Sequence, residues 1–434
     1  MIHEKVFRDP IHDLIPFDRD KTGDRLLLAL IDTREVQRLR RIKQLGMAHM
    51  AYQGAEHSRF AHSIGVLHLA RRMTGRLERD RPAPSPLAVL ATWCAGLLHD
   101  AGHGPFSHVM EQFFVEKHEA WTHRIVRDED TEAHALLRGY DPELPELVSQ
   151  TLKGHSDPAW LSSVVNSQMD ADRFDYLLRD AHMTGVKYGV FDLERLLLLL
   201  RVSEGGERVV VSHKGLMPVE KYLQSRYQMY RQVYFHKTVT AAEAMLMLLL
   251  RRARDLVREG AVVTTEVESP LQRLLHEGTV AVDDYLSLDD SVLYSAMVHW
   301  TRHGDPVLRD LSRRLLTRDL FKSVEIEAEE GLDILFDSRI MAARGILERH
   351  GLDFNYYLGF SKSADTPYRP YSPRDAQSTI WIRDQGGELV DVKDLSPTVR
   401  AFTESPYTIY RAFFPATAPD GTPVRRELEE TLTG

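Results

Sequence analysis

Along most of the chain, apolar residues return every three to four positions. Phe60, Ile64, Leu67 and Met73 share one helical face, and Leu87, Leu90, Cys94, Leu97 and Leu98 share another. Pro82, Pro84 and Pro86 separate these two segments. The same spacing predicts a helix over about 165–181 and a long one over about 217–258. From about residue 323 the texture becomes strand-like. Ser323-Val-Glu-Ile-Glu, Asn355-Tyr-Tyr-Leu-Gly-Phe, Ser378-Thr-Ile-Trp-Ile-Arg, Glu388-Leu-Val-Asp-Val and Tyr407 to Phe414 read as strands. Asp384-Gln-Gly-Gly reads as a turn, and 365–374 as an irregular Pro-rich loop. The pattern predicts a mainly α protein: an all-α domain over 1–322 and a smaller C-terminal α+β lobe over 323–434.

Composition changes this picture little. The 434 residues are 43% hydrophobic and 27% charged, as in ordinary globular proteins. A net charge of -9 argues against a primarily nucleic-acid role, since no global basic field exists. The local basic run Arg34 to Lys43 reads, taken alone, as a solvated helix face. One cysteine, Cys94, excludes an internal disulfide and sits in an apolar run as a small buried thiol. The first residues, MIHEKVFRDP, lack the apolar core of a signal peptide, and runs such as 244–250 are too short to span a bilayer. A cytoplasmic location is expected.

Residues 97–108, LLHDAGHGPFSH, hold three histidines and an aspartate. His-Asp recurs at His12-Asp13, so the dipeptide alone carries little. Here, however, an apolar helix ends at His99 and Asp100, because Gly102, Gly104 and Pro105 oppose its continuation. His103 follows His99 by one turn, and the Gly-Pro turn can return His108. Imidazole and carboxylate together suit a divalent metal. HSRFAHSIG (57–65) adds Arg59 and His62. In DADRFDYLLRD (170–180), Asp172, Tyr176 and Asp180 recur every four residues and share a helical face. Alone, each segment also fits a solvated or core histidine or an amphipathic surface.

The order His62, His99-Asp100, Asp172 resembles the HD superfamily of metal-dependent phosphohydrolases. KVFRDPIHD (5–13), IDTREVQRLRRIKQLG (31–46), HSRFAHSIGV (57–66), GLLHDAGHGPFSH (96–108), DADRFDYLLRDAHMTG (170–185) and YRQVYFHK (230–237) resemble its deoxynucleoside triphosphate triphosphohydrolase branch. The resemblance covers about 5–325 and implies an all-α HD-domain core with its metal motifs in about 50–182. It implies that His62, His99, Asp100 and Asp172 hold a divalent metal, from the set Fe, Mn, Mg, Ni, Co and Zn. It implies catalytic roles for His103, His108, Glu111 and His123, with His108 as general acid; Glu111 stands where the family has Asp. Arg59, Arg173, Tyr176 and Arg226 match phosphate-contact positions, Arg173 replacing a Lys. Gln44, Leu45, Asp180 and Tyr234 match a pocket that holds a 3′-hydroxyl and excludes a 2′-hydroxyl. Tyr230 replaces a His and continues, with Arg226, Tyr234 and Lys237, one stripe of the expected long helix.

The implied reaction hydrolyses a deoxynucleoside triphosphate (dNTP) to deoxynucleoside and tripolyphosphate. Other members of the superfamily act on nucleoside monophosphates, cyclic dinucleotides or alarmones, and a nuclease activity is a further alternative. A non-catalytic nucleotide sensor fits less well, because none of the four ligands is missing. Regulated members of the branch bind guanine nucleotides between subunits. Lys5, Val6, Asp32, Gln37, Arg40, Arg318 and Lys322 match that site, and Asp192, Arg195, His236 and Lys237 match part of a second one. The resemblance therefore implies a homo-oligomer, expected to be a tetramer, responsive to GTP or dGTP. Arg318 and Lys322 are expected one helical turn apart.

Overall fold

The computed structural model describes residues 3–80, 84–265, 268–326, 337–365, 379–404 and 407–434. Helices dominate, and their boundaries follow capping chemistry. Ser85 accepts the amide of Leu87 ahead of Pro86, which opens the Pro86–Leu98 helix. Asp170 accepts the amide of Arg173 at 2.8 Å to open Ala171–Thr184, and Gly185 closes that helix at a left-handed φ of 79°. The buried faces of Arg59–Leu77, Pro86–Leu98, Ala171–Thr184 and Leu216–Met229 share one hydrophobic core. A second core surrounds Lys237–Arg258 and takes in Asp290–Trp300, Pro306–Leu316 and Ser338–Arg349.

The expected boundary at 322–323 is not followed by these cores. Ile380, Ile382, Val392 and Val399 belong to the first core, whereas Phe413, Phe414 and Leu428 belong to the second. The sheets explain why. Val209–Ser212 pairs in parallel with Trp381–Arg383, placing Val211 opposite Ile382. Tyr407–Phe414 lies between Lys322–Glu325 and Gly359–Asp365 in an antiparallel sheet beside the second core. The C-terminal segment thus laces both cores together.

Other expectations change in detail. An unpredicted hairpin, Glu4–Asp9 and Asp13–Asp18, buries Ile15 and Phe17. Phe354–Tyr357 is a short helix capped by Asp353, so the expected strand begins only at Gly359. The Asp384 turn forms, with Gly387 at φ 92°. Residues 366–374 of the Pro-rich loop, Ser378 and Glu327 lie outside the described residues.

The long helix over 217–258 is broken. Leu216–Met229 runs into a π turn, Tyr230–Tyr234, and Lys237–Arg258 departs at 56°. The amide of Phe235 reaches back to the carbonyl of Tyr230, and His236 caps the new helix through the amide of Thr238. Lys237 therefore leaves the stripe of Arg226, Tyr230 and Tyr234. Among the described residues no single helix is long and apolar enough to cross a membrane. This bent pair passes by length and composition only, and much of both helices packs into the cores.

Candidate active site

Three helices meet with their polar residues facing inward. Arg59–Leu77 supplies His62, the end of Pro86–Leu98 supplies His99 and Asp100, and Ala171–Thr184 supplies Asp172. His62 Nε2 lies 3.0 Å from Asp172 Oδ1 and 3.2 Å from His99 Nε2. His99 Nε2 lies 3.2 Å from Asp100 Oδ1.

The outer nitrogens decide the chemistry. His99 Nδ1 donates to the Gly96 carbonyl at 2.9 Å, and His62 Nδ1 donates to Asp175 Oδ2 at 2.7 Å. In the neutral rings both Nε2 atoms then carry lone pairs, and two lone pairs 3.2 Å apart have no proton to share. Together with two carboxylates they form a donor set that fits a divalent cation. Without the cation, burial disfavours the charged form of His62, but its bonds to Asp172 and Asp175 outweigh burial and raise its pKa to about 10. A proton and a metal thus compete for this centre.

Beside it lies a second group. His103, 2% exposed, places Nε2 3.3 Å from Asp100 Oδ1 and Nδ1 3.2 Å from Glu111 Oε1. Burial, with Arg59 and His118 nearby, lowers its pKa to about 3 and keeps the ring neutral. His118 stacks on it at 3.7 Å between centroids and donates through Nδ1 to Glu111 Oε1 at 2.7 Å. His108 is exposed, with Nδ1 3.4 Å from Glu111 Oε2. Burial raises the Glu111 carboxyl, but its contacts with His103, His108 and His118 hold it well below the usual carboxylate range. Asp100, His103 and His118 also converge closely enough to offer a second set of metal donors.

The structure does not bring His123 into this group. Its Nδ1 faces Ser149 Oγ at 3.3 Å, on a different side of the His118–Arg127 helix. His118, the first residue of that helix, is the one in place. Motif matching favoured the string WTH at 121–123, and the signal for His118 was only its position seven residues after Glu111.

Several of the residues expected around a substrate are already engaged by other groups. Arg59 is buried, with Nη1 2.6 Å from Asp100 Oδ2, Nε on Ser107 Oγ at 2.9 Å and Nη2 on the Gln44 carbonyl at 3.3 Å. It braces the centre rather than presenting a free fork. Arg173 is held by Asp170 and the Ser167 carbonyl. Arg226 donates to Gln168 Oε1 at 2.8 Å, but among the described residues its buried Nε and Gln44 Oε1 have no hydrogen-bond partner. Tyr234 donates to Asp180 Oδ2 at 2.8 Å, and His57 Nε2 meets Asp180 Oδ1 at 2.8 Å. Tyr176 and Tyr230 flank the Tyr234 ring at 6.3 and 4.9 Å, and Leu45 packs half-buried against the first core. His57 lies within the string HSRF, yet its contact with Asp180 spans 123 positions and is invisible locally.

The expected nucleotide-contact residues fall elsewhere. Arg40 donates to Gln37 Oε1 at 2.8 Å, and Gln37 donates to the carbonyl of Ile31, next to Asp32. Lys5 and Val6 sit on the N-terminal hairpin. Arg318 and Lys322 are not one helical turn apart: the helix ends at Leu316, Arg318 adopts a left-handed φ of 59°, and Lys322 starts a strand. Asp192 and His236 act as helix caps, with Arg195 in the first turn after Asp192 and Lys237 next to His236.

Residues 59–180 match the HD domain, and 191–269 match the HD associated region. The chain is 38% identical over 415 residues to the uncharacterized protein YwfO of Bacillus subtilis, covering 95% of this chain and 92% of that one. It is 29% identical over 362 residues to the deoxynucleoside triphosphate triphosphohydrolase SAMHD1 of Homo sapiens, covering 74% of this chain and 55% of that protein. The crystal structure of a phosphohydrolase from Bacteroides thetaiotaomicron is similar with a TM-score of 0.81 and 28% identity, over 95% of this chain and 99% of that one. A helical scaffold that converges His62, His99 and Asp172 on one point, matched along nearly its whole length by such relatives, belongs to the HD-domain family of divalent-metal phosphohydrolases.

Proposed function

We propose that the protein hydrolyses dNTPs to a deoxynucleoside and tripolyphosphate. The observation that carries this reading is the Tyr234–Asp180–His57 cluster, whose Asp180 lies on the same helix as Asp172. Two turns separate Asp172 from Asp180, about 12 Å along the axis, a length comparable to a nucleotide lying between a phosphate-reactive end and a sugar-reading end. Similarity to SAMHD1 supports the same substrate class.

A divalent cation held by His62, His99, Asp100 and Asp172 supplies Lewis-acid polarisation of a phosphoryl oxygen and acidifies water. The chain's own groups do the rest. Arg226, whose buried Nε has no partner among the described residues, binds the phosphates together with Arg173 and Tyr176. His108, exposed and beside Glu111, donates the proton to the departing 5′-oxygen. The ionised Glu111 orients it, together with neutral His103 and the His118 ring stacked on it. Asp180 accepts the 3′-hydroxyl, and Tyr234, pinned by that same carboxylate, closes the space beside C2′ with Leu45, Gln44 and Tyr230.

The four dNTPs and four ribonucleotides, incubated with Mn²⁺ or Mg²⁺, test this directly. Deoxynucleoside and tripolyphosphate are the expected products, and mono- or diphosphate products point instead to another HD hydrolase. Ribonucleotides are expected to turn over at least ~10²-fold more slowly, because an added hydroxyl meets packed groups. Tyr234→Ala is expected to narrow that gap; equal turnover of GTP and dGTP by the unaltered protein removes the sugar pocket from the account.

The same reading makes the protein a homo-oligomer, expected to be a tetramer, that responds to GTP or dGTP through Lys5, Val6, Asp32, Gln37, Arg40, Arg318 and Lys322. Asp192, Arg195, His236 and Lys237 contribute to an adjoining nucleotide. Light scattering and turnover of a non-guanine dNTP, with and without GTP or dGTP, check this. Arg40→Ala abolishes activation while sparing metal content. Mass and rate unchanged by either nucleotide from micromolar to millimolar reject the regulation and leave the catalytic reading standing.

A further inference from the structure

Asp290 is 4% exposed and has no ion-pair partner among the described residues. It stands at the start of the Asp290–Trp300 helix, but it is not the cap. Asp289 caps that helix, accepting the amides of Ser291 at 3.0 Å and Val292 at 3.4 Å, and also binds Arg41. The Asp290 carboxylate instead accepts two amides from distant segments. Phe106 N–H donates to Oδ1 at 2.7 Å across 184 positions, and Lys43 N–H donates to Oδ2 at 2.9 Å across 247 positions. Burying a carboxylate is costly, and two well-placed amides offset much of that cost.

Both donor segments matter to the site. Phe106 and Ser107 have φ of 50° and 48°, and Ser107 has ψ of -107°. These are unfavourable conformations for residues with side chains, and they persist only where surrounding contacts enforce them. Arg59 Nε holds Ser107 Oγ at 2.9 Å, and Ser107 Oγ reaches the Lys43 carbonyl at 3.5 Å. His108 follows this turn directly, and Gln44 and Leu45 follow Lys43.

We infer that Asp290 is a positioning residue that locks the Phe106–Ser107 turn to the Lys43–Leu45 segment, so that His108 and the sugar pocket face one substrate. The roles of His108, Gln44 and Leu45 rest on the proposed function; the lock itself rests on the two hydrogen bonds. Asp290→Asn in the full chain tests it, because one oxygen remains an acceptor while the new amide opposes the second N–H. Asp290→Ser serves if the first variant does not fold.

Hydrogen exchange is expected to accelerate at least ~10-fold in peptides covering 42–46 and 103–110 together, with the Arg59–Leu77 and Ala171–Thr184 helices unchanged. Bound Mn²⁺ stays at the wild-type level. Turnover of the best dNTP falls about 10- to 100-fold through kcat. Hydrolysis of bis(p-nitrophenyl) phosphate, whose nitrophenolate departs without protonation, falls less than about threefold, since no acid is needed. Asp289→Ala, which removes the cap, does not reproduce this split. Unchanged exchange in either loop, an equal loss on both substrates, or the same split from Asp289→Ala overturns the inference. His108→Ala separates the two layers. If it slows both substrates equally, the acid assignment fails and the exchange data alone decide the lock.

Discussion

Asp172→Ala is expected to lose the bound divalent ion and at least ~10³-fold in kcat/KM, the scale of removing a group that organises transition-state charge. The fold should survive. Asp172 retains 30% side-chain exposure at the rim of the centre, and its helix is held by Phe174 and Leu177 in the core and capped by Asp170. The variant's melting temperature should therefore equal that of chelator-treated wild type and no longer respond to added Mn²⁺, since a ligand stabilises only a protein that binds it. Metal analysis, turnover and melting curves with and without chelator check all three. Near-normal metal content with near-normal turnover would show that the centre lies elsewhere.

The centre was legible because its ligands come from short strings with strong local signatures. The apolar run before His99, the helix breakers after Asp100 and the four-residue spacing of Asp172, Tyr176 and Asp180 each survive in the structure. What sequence could not supply was pairing across distance. The parallel contact of Val211 with Ile382 ties the C-terminal segment to the first core, and nothing in either short strand announces the other. The break after Tyr234 occurs in an unbroken helical pattern, where a π turn and a histidine cap redirect the chain without Gly or Pro. The exchange of His123 for His118 has the same root: both occupy one helix, and only its packing decides which ring stacks on His103. Asp290 carries no motif at all, because its partners are backbone amides of other segments.

The second large effect is expected at Asp175, a residue no motif assigns to the metal. Its fully buried carboxylate accepts Arg179 Nε and Nη2 at 2.8 Å, His12 Nε2 at 2.7 Å and His62 Nδ1 at 2.7 Å. Arg179, 1% exposed, otherwise donates, among the described residues, to Asp9 Oδ2 at 2.8 Å. Asp175→Ala leaves a buried guanidinium half-paired and should destabilise by about 3–5 kcal/mol. It also frees His62 to rotate or change tautomer, which should weaken metal binding about 10- to 100-fold. Gly65 offers an independent route to the same result. It lies in the Arg59–Leu77 helix, and a Cβ there would sit 1.9 Å from Asp175 Oδ1 and 2.5 Å from Arg179 Nη2. Neither side chain is free to yield, because each is held by several bonds. Gly65→Ala should therefore lower urea resistance and Mn²⁺ affinity together. Gly75 provides the control within the same helix: nothing lies within 4 Å of its added Cβ, so Gly75→Ala should stabilise by roughly 0.5–1 kcal/mol through helix propensity alone. If Gly65→Ala behaved like Gly75→Ala, with unchanged metal affinity, the Asp175 cluster would not be what holds His62 in place.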